Sequence, residues 1–511
     1  MVVISVFQIF YVPLQSFLDN KFEMERKRLY GSNRMSRVVL FLWGMFLVSM
    51  LTCCDKVVIE PEIIETIELH SGYSVQLPVS SHGQWFSNNT SVATVSSSGL
   101  VTAVGAGKAF IYTYSSSGEQ HIFCYIEVNP KRNILFYIAT DADATIDGDS
   151  PGKIQQIRSG WEPEHGEMLI YVDRRGQEAL LLRMNDTLTN GYYGLDTLEN
   201  YGVENSADAA VLQRMIDTLS SYHADSYGLI FFSHASGWLP AGTLNNPRSS
   251  EAEQQLNPNE TELRSIVIDN GGGTRHEMEY YDFAAAIPDH MFDFIILEAC
   301  LMGDVMSMYE LRNKTDYVLV SSAEIVAPGF THIYKDEIMR LYDTKNPVLS
   351  VVSGFAQSFH DYVITHFPEN SAYCSSTLGL IQMNEMQHLA TSVKAALNGV
   401  MIDETTLTVE DIQQFDRPNA LISSFPRRSR YFDLDHVIEN LASASQYDAF
   451  RIQMEKTVVW KANTSGFMLG NGGSNGFTIE RHCGLTTYIQ QSVYPVLNAV
   501  YEDSSWYKAI Y

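Results

Sequence analysis

The chain has 511 residues, of which 45% are hydrophobic and 18% charged, and a formal net charge of −26. These values exclude wholesale disorder and predict two to four domains. An excess of 60 acidic over 34 basic residues argues against nucleic-acid binding, which needs a cationic surface. Six cysteines are too few for a disulfide scaffold, and the sequence contains neither CxxC nor HExxH, so the common zinc signatures are absent.

The N-terminal region has the pattern of a secretion signal followed by two adjacent cysteines. Val38–Leu51 is an uncharged run of fourteen residues, short for a bilayer span but typical of a signal-peptide core. The stretch Leu51–Asp55 (LTCCD) resembles the bacterial lipobox, in which a Leu three residues before a Cys directs lipidation of that Cys. The spacing favours Cys54, with Cys53 as the alternative. A plain signal peptide with incidental cysteines is the competing interpretation.

These features predict an exported bacterial lipoprotein, on the outer membrane or the cell surface, that contacts the membrane through its lipid anchor only. Met35 would begin a normal signal peptide by itself, so residues 1–34 are interpreted as a dispensable extension. Residues 35–53 would then be the lipoprotein signal peptide and 54–62 a linker.

Residues 63–129 have the pattern of a small antiparallel β-sandwich, with short β-prone runs and turn residues about every ten positions. Three stretches, Trp85–Asn89, Val92–Val95 and Gly99–Val104, resemble the second group of bacterial immunoglobulin-like domains. That resemblance implies a spacer or an adhesion module, and we favour the spacer.

After Pro130 the pattern changes to continuous apolar runs separated by helical stretches. The runs are Ile134–Ala139, Met168–Val172, Leu229–Phe232, Phe294–Leu297 and Tyr317–Val320. Runs that are apolar on both faces are typical of central strands in a covered, largely parallel sheet. We therefore predict an α/β domain over 131–511 with helices on both faces of the sheet, including one over Ala207–Tyr222.

Two of these runs end in residues that can carry catalysis. Leu229–Phe232 leads into His234, and Phe294–Leu297 leads into Cys300. If the two strands are neighbours, about 5 Å apart, these side chains can converge. A thiol needs a base or a lowered pKa to act as a nucleophile, and imidazole is the usual base. The alternative is a buried cysteine and an unrelated strand-end histidine.

The surroundings of both residues resemble the clostripain family of cysteine peptidases, which has a caspase- and gingipain-like fold. The stretch Tyr222–Ile230 leading to His234 resembles one family signature, and Glu298–Gly303 (EACLMG) resembles the family's Asp-Ala-Cys-Leu-Met-Gly. Further resemblances are Asp316–Glu324, Gly484–Tyr488 and Ser505–Tyr507. The resemblance spans 131–511 and implies a cysteine endopeptidase acting on proteins or peptides.

The resemblance also implies roles for neighbouring residues. The oxyanion would be held by the backbone N–H groups of Ala235 and Cys300. The family usually has Gly where this chain has Ala235, and an Ala with positive φ there would cost about 1–2 kcal/mol. A preference for Arg or Lys before the scissile bond needs an acidic pocket, for which the candidates are Glu298, Glu324 and Asp141. A preference for apolar or small residues is the alternative.

Two loops allow further interpretations. Members of the family often cut themselves in a loop after the His, and Arg248 is the candidate self-cleavage point here; a plain surface loop is the alternative. Asp141, Asp143, Asp147 and Asp149 form an acidic cluster in which calcium binding is conceivable, but the EF-hand pattern fails. We favour a solvated acidic loop and predict no cofactor.

Two other functions compete with a surface-anchored peptidase. One is a catalytically weak relative that serves as an adhesin or binding protein. The other is a hydrolase of small amides that uses the same Cys–His pair.

Overall fold

The structure is a computed structural model that describes residues 64–78, 84–142, 144–240, 266–273, 275–416, 428–470 and 476–511. The predictions for the signal peptide, Cys54 and Arg248 lie outside these ranges. Within the described ranges, no helix combines the length and apolar character needed to cross a membrane.

The first part of the described chain is a two-sheet sandwich. One sheet has the order β1-β7-β6-β3 and the other the order β2-β5-β4. Inward-facing side chains such as Leu77, Trp85 and Ile111 form its core. The pairing is antiparallel except between β1 and β7, which run parallel, a departure from the predicted wholly antiparallel arrangement. The strands are β1 (Thr66–His70), β2 (Ser74–Gln76), β3 (Trp85–Ser87), β4 (Ala93–Val95), β5 (Leu100–Ala103), β6 (Gly107–Tyr114) and β7 (Gln120–Asn129).

The larger part is built on a nine-stranded sheet of order β11-β10-β9-β8-β12-β15-β16-β17-β19. The five predicted runs are β9, β8, β12, β15 and β16, which lie side by side and parallel. On both sides of these five strands the pairing is antiparallel: β10 pairs with β9 and β11, and β17 pairs with β16 and β19. The predicted α/β fold with a largely parallel central sheet is confirmed. The sheet strands are β8 (Arg132–Ala139), β9 (Met168–Asp173), β10 (Ala179–Thr189), β11 (Tyr192–Gly202), β12 (Ser226–Ser233), β15 (Phe292–Glu298), β16 (Thr315–Ser321), β17 (Thr377–Gln382) and β19 (Val458–Asn463).

Each face of this sheet is covered by helices and buries its own core. Along β8, Leu135 and Tyr137 enter one core, while Ile134 and Phe136 enter the other. This burial on both faces explains why the central strands contain continuous apolar runs. The helices are α1 (Ala144–Gly160), α2 (Ala209–Ser221), α3 (Tyr280–Ala286), α4 (Val305–Leu311), α5 (Thr331–Glu337), α6 (Val348–His366), α7 (Met386–Leu397), α8 (Leu434–Leu441), α9 (Ala444–Thr457), α10 (Pro495–Asp503) and α11 (Ser505–Ile510).

The remaining strands form short pairs outside the main sheet. They are β13 (Val267–Asp269) with β14 (His276–Met278), β18 (Phe432–Asp433) with β22 (Thr486–Thr487), and β20 (Gly466–Phe467) with β21 (Phe477–Thr478).

The sandwich joins the larger domain at the edge where the parallel strands begin. Only Pro130 and Lys131 separate β7 from β8. The Thr344 hydroxyl donates to the Pro130 carbonyl at 2.8 Å, and the Tyr73 hydroxyl donates to the Pro163 carbonyl at 3.2 Å. The carboxyl ends of the parallel strands, where α/β sheets form their sites, lie at the opposite edge.

Candidate active site

His234 and Cys300 follow two neighbouring parallel strands at the same height. In the register of β12 and β15, Phe232 lies opposite Glu298. His234 and Cys300 each lie two residues beyond that pair, and both line one cleft of about 220 Å³. The structure therefore brings together the two residues that the sequence predicted to converge.

The loops that follow His234 and Cys300 pack closely against each other. Leu301, directly after Cys300, has φ +61°, and its N–H donates to the Ala323 carbonyl at 2.9 Å. Gly237 has φ +56°, and a Cβ there would lie 2.5 Å from the Leu301 carbonyl oxygen. A left-handed conformation at a residue other than Gly is uncommon and clusters at functional sites. Here it turns the chain sharply after Cys300, so the thiol stays at the edge of the sheet.

A buried carboxylate, Asp304, follows the turn at Leu301 and anchors the helix that begins there. Asp304 caps α4 and accepts from the Ser307 N–H at 2.8 Å and the Ser307 hydroxyl at 2.7 Å. Burial raises the pKa of Asp304 to about 7, and the hydrogen bonds from Ser307 oppose that rise. The Tyr431 hydroxyl donates to the Ser236 carbonyl, which ties the loop after His234 to the same core.

Ala235 carries no left-handed backbone. Among the described residues other than Gly, positive φ occurs at Asn190, His290, Leu301, Asn398 and Met468. The strain anticipated for Ala235 therefore does not arise. The position that needs a left-handed glycine is Gly237, two residues further along, while Ala235 is buried at 5% exposure.

Glu298 borders the cleft but is fully paired within the protein. Its Oε1 lies 2.5 Å from the Lys153 Nζ and accepts from the Phe330 N–H at 2.6 Å. Its Oε2 accepts from the Tyr334 hydroxyl at 2.7 Å. Both partners of the ion pair have 0% side-chain exposure. The expectation that Glu298 pairs with a substrate cation therefore needs correction, since a buried cation already compensates its charge.

Lys153 is a residue that sequence reasoning missed. It lies on α1, and its Nζ donates to the Pro328 carbonyl at 2.8 Å and to the Thr331 hydroxyl at 3.0 Å. The same atom lies 4.1 Å from the centroid of the Phe232 ring. Burial lowers the pKa of Lys153, and the Glu298 carboxylate opposes that shift. No local signal marks it, because its partner is 145 residues away along the chain.

Glu324 lines the cleft, whereas Asp141 does not. Asp141 follows β8, on the far side of β12 from Cys300. Burial and the nearby Asp269 carboxylate raise the pKa of Asp141. Burial and a hydrogen bond with Asp269 likewise raise the pKa of the adjacent Asp173 to about 8. Asp141 therefore belongs to a buried carboxyl cluster beside the cleft, not to its wall.

The remaining acidic residues of the predicted cluster point to different partners. Asp147 forms a bidentate ion pair with Arg174, at 2.9 and 3.2 Å. Asp149 lines the cleft, and burial raises its pKa while Lys153 opposes the shift. Asp143 lies outside the described residues. The described carboxylates of this stretch do not converge on one point, so it carries no argument for a calcium site. The favoured interpretation of a solvated loop is also wrong, because Asp141 is buried and Asp147 and Asp149 lie on α1.

Comparison with protein families assigns both domains. Residues 141–508 match the model of the clostripain family, and residues 69–123 match that of the bacterial Ig-like domain (group 2). A search of curated proteins found no match.

Solved structures agree with this assignment. A secreted C11 cysteine protease from Bacteroides thetaiotaomicron, in complex with an irreversible peptide inhibitor, is 24% identical; the match covers 74% of this chain and 99% of that one, with a TM-score of 0.60. An inactive zymogen C11 protease from Parabacteroides distasonis is 25% identical, with 75% and 99% covered and a TM-score of 0.60. A second secreted protease from Bacteroides thetaiotaomicron, iotapain, is 18% identical, with 75% and 100% covered and a TM-score of 0.58. Because the family model matches well over half of the chain, this protein belongs to the clostripain family of cysteine peptidases.

Proposed function

We propose that the protein hydrolyses peptide bonds with Cys300 as nucleophile and His234 as its proton-transfer partner. The observation that supports this most is the position of both residues after register-matched neighbouring strands, on one cleft. A nucleophile and a base on adjacent strand ends are the arrangement that acyl transfer needs. Membership of a cysteine peptidase family makes the thiol the natural nucleophile.

The reaction follows from these positions. The Cys300 sulfur attacks the carbonyl carbon as its proton passes to His234, and the backbone N–H groups of Ala235 and Cys300 stabilise the oxyanion. His234 donates a proton to the leaving amine as the carbon–nitrogen bond breaks, which leaves a thioester on Cys300. Water, deprotonated by His234, then attacks the thioester, releasing the acid and restoring the thiol.

The residue preferred before the scissile bond depends on which charges remain available in the cleft. A preference for Arg or Lys, as the family resemblance implies, requires an uncompensated carboxylate. Glu298 is paired with Lys153, so this preference would depend on Asp149 or Glu324. Self-cleavage after Arg248 would also require a basic residue to be accepted before the scissile bond, and it stays a prediction.

An activated thiol can be tested directly by alkylation. We expect iodoacetamide at pH 7 to modify Cys300 at least about tenfold faster than a free thiol, because a neighbouring imidazole raises the thiolate fraction. Cys124, Cys374 and Cys483 are built-in controls, since all three are buried and burial raises the pKa of each. Peptide mapping by mass spectrometry gives the four rates in one experiment.

The rate at Cys300 separates the two classes of function. A His234→Ala variant should lose the rapid phase and keep the slow labelling of the buried cysteines. A Cys300 that reacts no faster than a free thiol, in a protein that cleaves no peptide, would favour the adhesin or binding-protein alternative.

We also propose that the protein is exported and attached to the envelope through a lipid on Cys54. The lipobox-like LTCCD supports this, and the structural relative from Bacteroides thetaiotaomicron is a secreted protease. The sandwich lies at the sheet edge opposite the cleft, so a spacer there would direct the cleft away from the membrane.

Lipidation has a clear measurement. In a bacterial host with a lipoprotein pathway, Cys54→Ser should abolish incorporation of labelled palmitate and release the protein from the membrane fraction. Cys53→Ser, one residue away, is the matched control and should keep the label. The reverse pattern would assign the lipid to Cys53, and labelling of neither wild type nor control would contradict the lipoprotein proposal.

A further inference from the structure

The cleft beside Cys300 is walled mainly by apolar side chains. They are contributed by β12, α1, the loop after β16 and the segment after β20. The larger apolar residues are Ile146, Phe232, Ile325, Val326, Pro328 and Met468. Its volume of about 220 Å³ is below that of a typical small-molecule pocket and fits a single amino-acid side chain.

Of the acids that line the cleft, the one closest to the nucleophile along the chain is the one that Lys153 compensates. Glu298 lies two residues before Cys300, and its three hydrogen bonds come from Lys153, Phe330 and Tyr334. Lys153 itself is absent from the cleft wall and has 0% exposure. Phe232 contacts the Lys153 ammonium group and also lines the cleft, so the buried cation lies directly behind a residue of the cleft wall.

We infer that Lys153 is an internal substitute for a substrate cation, and that this cleft therefore accepts an uncharged side chain, such as Leu, Met or Gln, before the scissile bond. The inference rests on the proposed function and specifies its substrate class. A lysine or arginine side chain entering the cleft would lose its hydration without gaining the Glu298 carboxylate as a partner. It would also lie close to the positive charge of Lys153.

Two other carboxylates could oppose this preference. Asp149 lies one helical turn before Lys153 on α1, and Glu324 lies in the loop after β16. Asp149 is half-buried, and its Oδ2 is buried with no hydrogen-bond partner among the described residues, whereas Glu324 already interacts within the protein. Replacing each by its amide tests whether either one sets the preference.

The test uses peptide substrates that differ only in charge. Norleucine matches lysine in its methylene chain, and citrulline matches arginine in shape. For the purified wild-type protein we expect kcat/KM to be at least about tenfold higher for norleucine than for lysine, and likewise for citrulline than for arginine. Faster cleavage of the charged member of either pair, or a self-cleavage after Arg248 that requires Cys300, would overturn the inference.

Substitutions at the ion pair show whether Lys153 is the cause. Lys153→Met keeps the length of the side chain and leaves Glu298 uncompensated, so the lysine-to-norleucine ratio should rise at least about tenfold. Asp149→Asn and Glu324→Gln should change that ratio by less than about twofold. An unchanged ratio in folded Lys153→Met, or a larger change in either amide variant, would contradict the role given to Lys153.

Loss of one partner from a buried ion pair can prevent folding. The double variant Lys153→Met with Glu298→Gln removes both charges, and we expect it to fold and to keep the wild-type preference for the uncharged substrate. A double variant that instead prefers lysine would also overturn the inference. Absence of cleavage of every peptide by the wild type would overturn the proposed function itself, and the preference with it, whereas cleavage of the charged substrates would overturn the preference alone.

Discussion

Replacing Cys300 by Ala is expected to lower kcat/KM for peptide hydrolysis by at least about 10⁴-fold, because the variant has no atom able to form the thioester. His234→Ala should cause a loss of similar size, since the thiol then lacks its proton-transfer partner. Because the two residues act as a unit, the double variant should be no more than a few-fold worse than Cys300→Ala. Fluorogenic peptides with uncharged and basic residues before the reporter measure all three.

The control for this series is a buried cysteine far from the cleft. Cys124 lies in the core of the sandwich, and Cys124→Ala should keep activity within about threefold of wild type. Thermal unfolding of each variant shows whether a loss reflects chemistry or misfolding. Substantial hydrolysis by Cys300→Ala, or losses that multiply in the double variant, would show that the two residues do not form the catalytic pair.

Replacing Gly237 by Ala is expected to reduce both stability and activity. The position has φ +56°, which costs a non-Gly residue about 1–2 kcal/mol. A Cβ would also lie 2.5 Å from the Leu301 carbonyl oxygen and 2.9 Å from the Asp304 Oδ2, and crowding of this kind adds about 1–3 kcal/mol. Since Leu301 follows Cys300, any relief of that contact displaces the nucleophile.

Gly176 offers a matched comparison for this variant. It has φ +67°, and no atom lies within 4 Å of the Cβ that Gly176→Ala would add. Gly176→Ala should therefore lose only the conformational contribution and keep full kcat/KM, whereas Gly237→Ala should have a lower unfolding midpoint and at least about tenfold lower kcat/KM. Equal unfolding midpoints and equal activities in the two variants would show that the contact between the two loops is unimportant.

The central strands were predictable because burial on both faces of the sheet requires consecutive apolar residues. In β8, β12 and β15 both faces are buried, so each strand contains a continuous apolar run. The flanking strands β10 and β11 are not buried along their whole length on both faces, so their sequences lack this pattern. β11 is partly exposed along its whole length, and β10 becomes exposed and polar toward its end, so both resemble loop sequence.

The positions of His234 and Cys300 were also predictable from the sequence, because each lies within two residues of the end of a largely apolar strand. Their chemistry depends on a register that local pattern does not encode. The pairing of Phe232 with Glu298 places the two strand ends at the same height. The family resemblance suggested this convergence, and the structure shows the register that produces it.

By itself, then, the sequence determined the α/β class, the immunoglobulin-like module and the two residues at the strand ends, because local composition and short motifs carry that information. Only the tertiary structure decided whether the carboxylate of Glu298, two residues before the nucleophile, is paired with a cation. Glu298 has the same sequence neighbours whether it is free or paired, but folding buries Lys153 against it from 145 residues away. The charge that a substrate meets depends on this long-range pairing, since a buried carboxylate with an ammonium partner no longer attracts a second cation in the same way.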